Sequence, residues 1–389
     1  MRCRRRWFLM AALGILPLWH GACQTAGEPV VGAILPATGT ASAYGRSVRD
    51  GMDLALEEIN AAGGIGGKPL RILYEDSRSD ADQGKAVARK LIEKDRVQVL
   101  IGAVSSAVTR AILEDVADPA KIVLLSPAAS SPNLTGLSSY FFRVYPSDVL
   151  EGARMAALAS KELRLRRLAV LSVADEYGSG YKRVFIERYR RAKNREVVKV
   201  FNYQPGETDF SAQIDALRAL APDGLLLIGY MDPLVAMVRQ IRAQGLTMPI
   251  LTSGSLLDDF ASLAGPAGEG VLFCRPSPRI IGNPDKVAAF TKAFAAKYGH
   301  EPDDYAPYGY DAVKLLAQVL AQGNLTARDI HVGLRSPAAE YHGVTGNIVF
   351  GNEGDVVASP TTYIVKDGAL KIYQEYLDEG GAPPGEGAD

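Results

Sequence analysis

From Pro29 onward, short β-rich runs alternate with longer segments whose apolar residues recur at helical spacing, and this alternation restricts the chain to an α/β fold on parallel sheet. Parallel strands need a long crossover between them, and a helix supplies it. In the first unit Val30–Leu35 reads as a buried strand. Val48, Met52, Ala55 and Ile59, spaced by four, three and four, line one face of a helix that Gly63-Gly64 stops. Further strands are expected at Leu70–Tyr74, Val97–Ile101 and Ile122–Leu125, with helices near Asp80–Lys94 and Ser106–Ala117, giving a four-stranded sheet. After a turn-rich stretch, 126–139, and a short extended Phe141–Tyr145, the alternation restarts. Strands at Leu168–Val173, Val197–Asn202, Gly224–Ile228 and Pro249–Thr252 alternate with helices near Asp148–Lys161, Tyr181–Lys193, Phe210–Ala219 and Pro233–Gln244, which predicts a second sheet. Helices near Pro284–Tyr298 and Tyr305–Gln322 follow, then extended segments at Gly343–Phe350, Val356–Val365 and Leu370–Tyr373. Residues 379–389, rich in Gly, Pro and acid, read as a disordered tail.

The N-terminus reads as an export signal. Arg2, Arg4, Arg5 and Arg6 precede the apolar run from Trp7 to Trp19, which is too short for the ~20 residues of a membrane-spanning helix. Residues 1–22 are therefore expected to be removed, taking the net charge from -1 to about -5. Neither balance offers a basic face for nucleic acid. Gly21-Ala22-Cys23 resembles a bacterial lipobox, with His20 where that motif usually has Leu. Lipidation of Cys23 and ordinary cleavage nearby both stay open, as do general and twin-arginine export. With Cys3 in the signal and Cys23 at the cleavage point, Cys274 is the lone cysteine of the folded part and no disulfide is expected.

Catalytic and metal signatures are absent from the sequence. His300, His331 and His342 make no metal-ligand spacing with one another or with Cys274, so neither a metal nor another cofactor is expected. No G-x-S-x-G elbow occurs, and the glycine cluster at 63–67 fails as a phosphate loop because residue 62 is Ala and Pro69 follows Lys68. Polar loops at strand ends remain, which is where open α/β sheets bind ligands. Gly102-Ala103-Val104-Ser105-Ser106 runs from a strand into a helix and can offer backbone N–H groups and two hydroxyls to a carboxylate, or simply cap the helix. Ser126-Pro127-Ala128-Ala129-Ser130 ends the next strand and can aim a carbonyl and a hydroxyl at the same point, or be an ordinary proline turn. Tyr44, Tyr177, Tyr230 and Tyr305 stand near strand ends or helix starts and can add apolar walls with a hydroxyl handle. Asp148, Asp175 and Asp232 stand at similar places, and each reads as a helix cap, Asp148 most clearly.

These residues sit in runs that resemble the leucine/isoleucine/valine-binding family of periplasmic solute receptors, which serve ABC importers and have the type I binding-protein fold. The matching runs are VGAILPATGTASAYGRSVRDGMDLALEEINAAGGIGGKPL, IGAVSSAVTRAI, KIVLLSPAASSPNLT, FFRVYPSDVLEG, ETDFSAQI and YAPYGYDAV. The resemblance implies two doubly wound, Rossmann-like lobes joined by three crossings. One lobe would be 29–147 with 276–355, the other 148–275 with 356–378. It implies a non-enzymatic, monomeric periplasmic protein that closes on a small amino acid and hands it to a membrane permease. Carried over position by position, Ser106 with Ser105, Ala128 and Ser130 match the loops that hold the ligand carboxylate and part of its ammonium, and the four tyrosines match pocket aromatics.

One position departs from that pattern. The family places an acid for the ligand's ammonium in the loop after the strand at Pro249–Thr252, and here Gly254 stands there. A buried ammonium without a counter-charge is costly. Either Asp148, Asp175 or Asp232 compensates, or the ligand is a small carboxylate, aromatic acid or amide. A sensory receptor of the same fold is the other functional alternative, and a hydrolase lacks an assembled nucleophile and base. If the ammonium has no partner, Gly254→Glu is expected to strengthen amino-acid binding.

Overall fold

The computed structural model describes residues 28–385; the arginine-rich leader, Cys23 and the last four residues lie outside the described residues. β1 (Val30–Leu35), α1 (Ser42–Ala61), β2 (Arg71–Asp76), α2 (Ala81–Glu93), β3 (Val99–Gly102) and α3 (Ser106–Ile112) form the opening βα units. A π-turn at Leu113–Ala117 continues α3 into the short α4 (Asp118–Ala120), and β4 (Val123–Ser126) and β5 (Phe141–Arg143) complete the sheet. Its order is β2-β1-β3-β4-β5, all parallel. The sheet thus has five strands where four were expected, because Phe141, Phe142 and Arg143 pair with Leu124, Leu125 and Ser126 and both phenylalanines are buried. Val48, Met52, Ala55 and Ile59 all face the core, and the Gly64 N–H bonds Ile59 O at 2.9 Å where the helix ends.

The chain then crosses into α5 (Val149–Ala157), β6 (Arg167–Val173), α6 (Glu176–Arg190), β7 (Glu196–Tyr203), α7 (Ser211–Leu220), β8 (Gly224–Ile228), α8 (Met231–Ala243), β9 (Ile250–Thr252), α9 (Phe260–Ala264) and β10 (Leu272–Arg275). Strand β10 was not expected, because its three apolar residues, Leu272, Phe273 and Cys274, are too few to show a period. The chain next returns to the first lobe through α10 (Pro278–Ile281), α11 (Pro284–Tyr298), α12 (Ala306–Ala321), α13 (Ala327–Arg335) and the hairpin β11 (Tyr341–Gly343) and β12 (Gly346–Ile348). Helix α12 crosses α1 so closely that a Cβ on Gly51 would stand 1.9 Å from Ala306 O. The last crossing leads to β13 (Thr361–Lys366), β14 (Ala369–Ile372) and α14 (Tyr373–Asp378). The second sheet has the order β14-β13-β10-β9-β8-β6-β7. Strands β6 to β10 are parallel, and the β13–β14 hairpin adds an antiparallel edge through the two-residue turn Asp367-Gly368, both at positive φ.

The tail differs from its expected disorder through residue 385. Gly381 N–H donates to Tyr376 O at 2.9 Å, Tyr376 OH donates to Ala382 O at 3.1 Å, and Pro384 lies beside Gly270. A reading by composition sees only Gly and Pro there, whereas those glycines close the end of α14.

Arg143 ties the crossings together. Its fully buried guanidinium reaches Asp355 through Nε at 2.7 Å and Nη2 at 2.9 Å, and donates to Ser131 O at 2.9 Å, Ala129 O at 3.3 Å and Thr135 Oγ1 at 2.7 Å. One side chain thereby fixes the loop after β4 to the segment that leads into β13. Arg143→Ala leaves Asp355 unpaired and two buried carbonyls short of a donor, so it should lower unfolding free energy by about 3–5 kcal/mol. Urea denaturation followed by circular dichroism measures this, and an unchanged midpoint would refute it.

Candidate functional site

Every loop that follows a parallel strand leaves the same edge of its sheet, and the two carboxyl edges face one another across the seam between the lobes. A small cavity lies in the seam, walled by residues of both lobes. The structure brings all nine sequence-predicted residues to its wall: Ser105 and Ser106 after β3, Ala128 and Ser130 after β4, Gly254 after β9, and the tyrosines Tyr44, Tyr177, Tyr230 and Tyr305. Sequence reasoning missed Val104, Tyr145, Ser255 and Glu151.

At one end, Ser105 Oγ accepts from Val108 N–H at 3.4 Å, and Ser106 Oγ accepts from Ser131 N–H at 3.2 Å. Both hydroxyls act as acceptors among the described residues, so their hydrogens remain free to donate. Together with the first-turn N–H groups of the helical run starting at Ser106, they make this end attractive to an anion. Ser130 behaves differently from its neighbours. Its Oγ donates to Asp148 Oδ2 at 2.7 Å, so its proton is already spent and it belongs to the acidic end.

That acidic end is built by α5. Asp148 is not the helix cap expected of it: at φ -65° and ψ 5° it lacks the extended backbone of a capping residue, its side chain makes no cap bond, and its carboxylate turns into the cavity. Glu151 lies three residues on, on the same helix face, and its Oε1 accepts from Gly254 N–H at 2.7 Å. Asp175 does cap its helix, accepting from Gly178 N–H at 2.8 Å and from Tyr230 OH at 2.9 Å, and Asp232 is exposed. Asp148 is therefore the one of those three aspartates that lines the cavity. The i, i+3 spacing of Asp148 and Glu151 was the available signal for the missed acid.

Burial pushes the Asp148 carboxyl up to about 7, against the opposing pull of the Ser130 hydroxyl and Arg143. Burial also drives Glu151 well up, and the neighbouring Asp148 charge adds to it. Neither acid forms an ion pair among the described residues. The nearby cations are taken: Arg143 by Asp355, and Arg275 by Asp258 at 2.5 Å and Asp304 at 2.8 Å.

Aromatic rings close the remaining walls. Tyr305 stacks on Tyr145 at 5.7 Å and meets Tyr44 edge-on at 5.1 Å, and Tyr177 lies 5.5 Å from Tyr230. Burial holds these phenols above their ordinary pKa, so they are neutral hydrogen-bonding groups. Tyr44 spans the seam, donating to Ser255 O at 2.6 Å and accepting from Met231 N–H at 2.9 Å. Arg110 of α3 pairs with Glu176 of α6 at 2.9 Å across the same seam.

This geometry leaves no ready space for the Gly254→Glu side chain. A Cβ on residue 254 would stand 2.3 Å from Cys274 O and 2.7 Å from Glu151 Oε2, so the added side chain displaces β10 and meets an acid already present. Cys274 itself is buried and free, and no group of His, Cys, Asp and Glu among the described residues could hold a metal.

The periplasmic binding protein family model matches residues 29–367. This chain belongs to the periplasmic binding protein family. It is 30% identical over 359 residues to a Leu/Ile/Val-binding protein homolog of Brucella suis, covering 90% of this chain and 93% of that one. A leucine binding protein of Thermotoga maritima superposes with a TM-score of 0.80 at 29% identity, covering 88% of this chain and 97% of that one. The branched-chain amino acid transporter substrate-binding protein LivJ of Streptococcus pneumoniae, solved with isoleucine, gives 0.80 at 26% identity, covering 88% and 98%. The family is extracytoplasmic, and among the described residues no helix is long and apolar enough to cross a membrane.

The raised Asp148 pKa has a direct consequence for stability. Its folded value, about 7, exceeds the ordinary aspartate value of 3.8, so the folded chain holds more protons there, and stability from this group is lost as pH rises toward 7. Scanning calorimetry of ligand-free protein should show the Tm of the wild type falling relative to that of Asp148→Asn as pH rises from 5 to 8. A difference that stays flat with pH would contradict the assignment.

Proposed function

We propose that this solute-binding protein captures a small hydrophobic amino acid between its lobes and delivers it to the permease of an ABC importer, without chemical turnover. The observation that carries this reading is the opposed polarity of one cavity: hydroxyl and helix N-terminal donors at Ser105 and Ser106, and two unpaired carboxylates at Asp148 and Glu151. A zwitterion satisfies both ends. A bare carboxylate or aromatic acid would meet the acidic pair with nothing to offer it, which disfavours the alternative class of ligand. The tyrosine walls suit an aliphatic side chain, in keeping with the leucine and isoleucine named for the two similar structures.

Lobe limits of 29–147 with 276–355, and 148–275 with 356–378, are supported by the two sheets and by the packing of α12 on α1. We take Cys23 to be the acylated first residue of the exported protein, which would tether it to the membrane as a monomer beside its permease. The short apolar run before Cys23 supports this reading.

The test is a thermal-shift titration of residues 24–389, stripped of ligand by unfolding and refolding, against amino acids and their des-amino acids. Ligand at ~100 times its Kd adds about 2.7 kcal/mol, a shift of a few degrees. Leucine, isoleucine or valine should raise Tm, and Ser106→Ala should weaken that binding by roughly 1.5–3 kcal/mol through the loss of one charge-assisted hydrogen bond. Shifts with des-amino acids and none with amino acids would overturn the reading.

A further inference from the structure

We infer that Glu151, reaching in from helix α5, is the residue that holds the ligand's ammonium group and makes the site selective for amino acids over the matching carboxylic acids. The inference rests on the amino-acid reading above and adds to it which side chain reads the amine.

Three observations carry it. First, the β9 loop is barred from supplying the charge. Gly254 packs its backbone against β10 so tightly that a Cβ would stand 2.3 Å from Cys274 O and 2.9 Å from Arg275 Cβ, so no side chain fits there without moving a strand. Second, the space such a side chain would enter already holds a carboxylate. Glu151 Oε2 lies 2.7 Å from that Cβ position while Oε1 is pinned by Gly254 N–H at 2.7 Å. The loop's own backbone thus orients an acid that comes from another element. Third, Glu151 is 3% exposed, lines the cavity and has no cation paired with it among the described residues.

A buried carboxylate in this state demands either a proton or a cation. Asp148 and Glu151 are close enough for each charge to oppose the other, and without a cation a proton meets the demand. A ligand ammonium placed against Glu151, with Asp148 and the spent Ser130 hydroxyl beside it, would supply the same positive charge through its three N–H donors. Glu151 would then discriminate by its charge, and Gly254 would contribute by being small and donating one N–H.

The experiment compares wild type, Glu151→Gln and Glu151→Asp. Each is refolded free of ligand, and circular dichroism and Tm verify folding. A thermal-shift panel of the twenty standard L-amino acids selects the tightest one, and calorimetric titration then measures that amino acid and its des-amino acid on all three proteins. Gln keeps the shape and the acceptor for Gly254 N–H while removing the charge. Glu151→Gln should weaken the amino acid by about 30-fold or more, as for truncating one partner of a buried charge pair, and leave the des-amino acid unchanged or tighter. Glu151→Asp, which retains the charge, should keep the preference for the amino acid and also serves if the Gln variant does not fold. Equal weakening of both ligands would mean a merely structural role and would overturn the inference, as would unchanged amino-acid affinity in Glu151→Gln or loss of preference in Glu151→Asp. If the wild type binds none of the twenty, the amino-acid reading itself fails and this inference falls with it. If the wild type binds an amino acid and the variants show no change in selectivity, the assignment of Glu151 alone fails.

Discussion

Parallel strand direction is the constraint on which the rest of this molecule depends. A βα unit always returns the chain to the same end of its sheet before the next strand begins, so loop after loop leaves from one edge. In the first sheet that edge carries Ser105, Ser106, Ala128, Ser130 and Asp148, and in the second it carries Tyr177, Tyr230 and Gly254. Facing the two edges across a seam converges these groups without any of them being near neighbours in both sheets. Arg143 then locks one of these loops, its guanidinium gathering Ala129 O, Ser131 O and Asp355 at the point where the chain changes lobe.

The cavity built this way is electrically lopsided. Donors collect where α3 begins, because a helix N-terminus leaves its first N–H groups unpaired and the Ser105 and Ser106 hydroxyls accept bonds and retain their protons. Acids collect where α5 begins, because Asp148 declines the capping role and Glu151 is drawn to the Gly254 N–H. Two carboxylates buried without a cation are unfavourable on their own, and burial holds each toward its protonated form. The same seam is bridged by Tyr44 and by the Arg110–Glu176 pair, so closure and ligand capture draw on one set of surfaces.

The sequence made much of this legible. The helical face of Val48, Met52, Ala55 and Ile59 and most parallel strands follow from periodicity, because burying one face of a helix imposes a 3.6-residue repeat whatever the partner is. Nine residues at strand ends and helix starts were legible as cavity wall for a topological reason and by resemblance to a family. Less visible were elements too short to have a period, such as β10, and turns whose signal lies in two residues, such as Asp367-Gly368 between β13 and β14. The residues after α14 misled composition altogether, since glycines that end a helix look the same in sequence as glycines that belong to no structure.

What the sequence determined by itself was the fold class, the loops that matter and the absence of an acid at position 254, since all three depend on local pattern or on one residue's identity. What only the tertiary structure decided was which carboxylate stands beside that loop. Glu151 is 103 positions away from Gly254 in the chain, and its carboxylate becomes that loop's partner only because α5 packs beside β10 within the second lobe and a backbone N–H points at it. Contact over that separation is a property of how a helix packs on its sheet, and no local pattern in the chain encodes it.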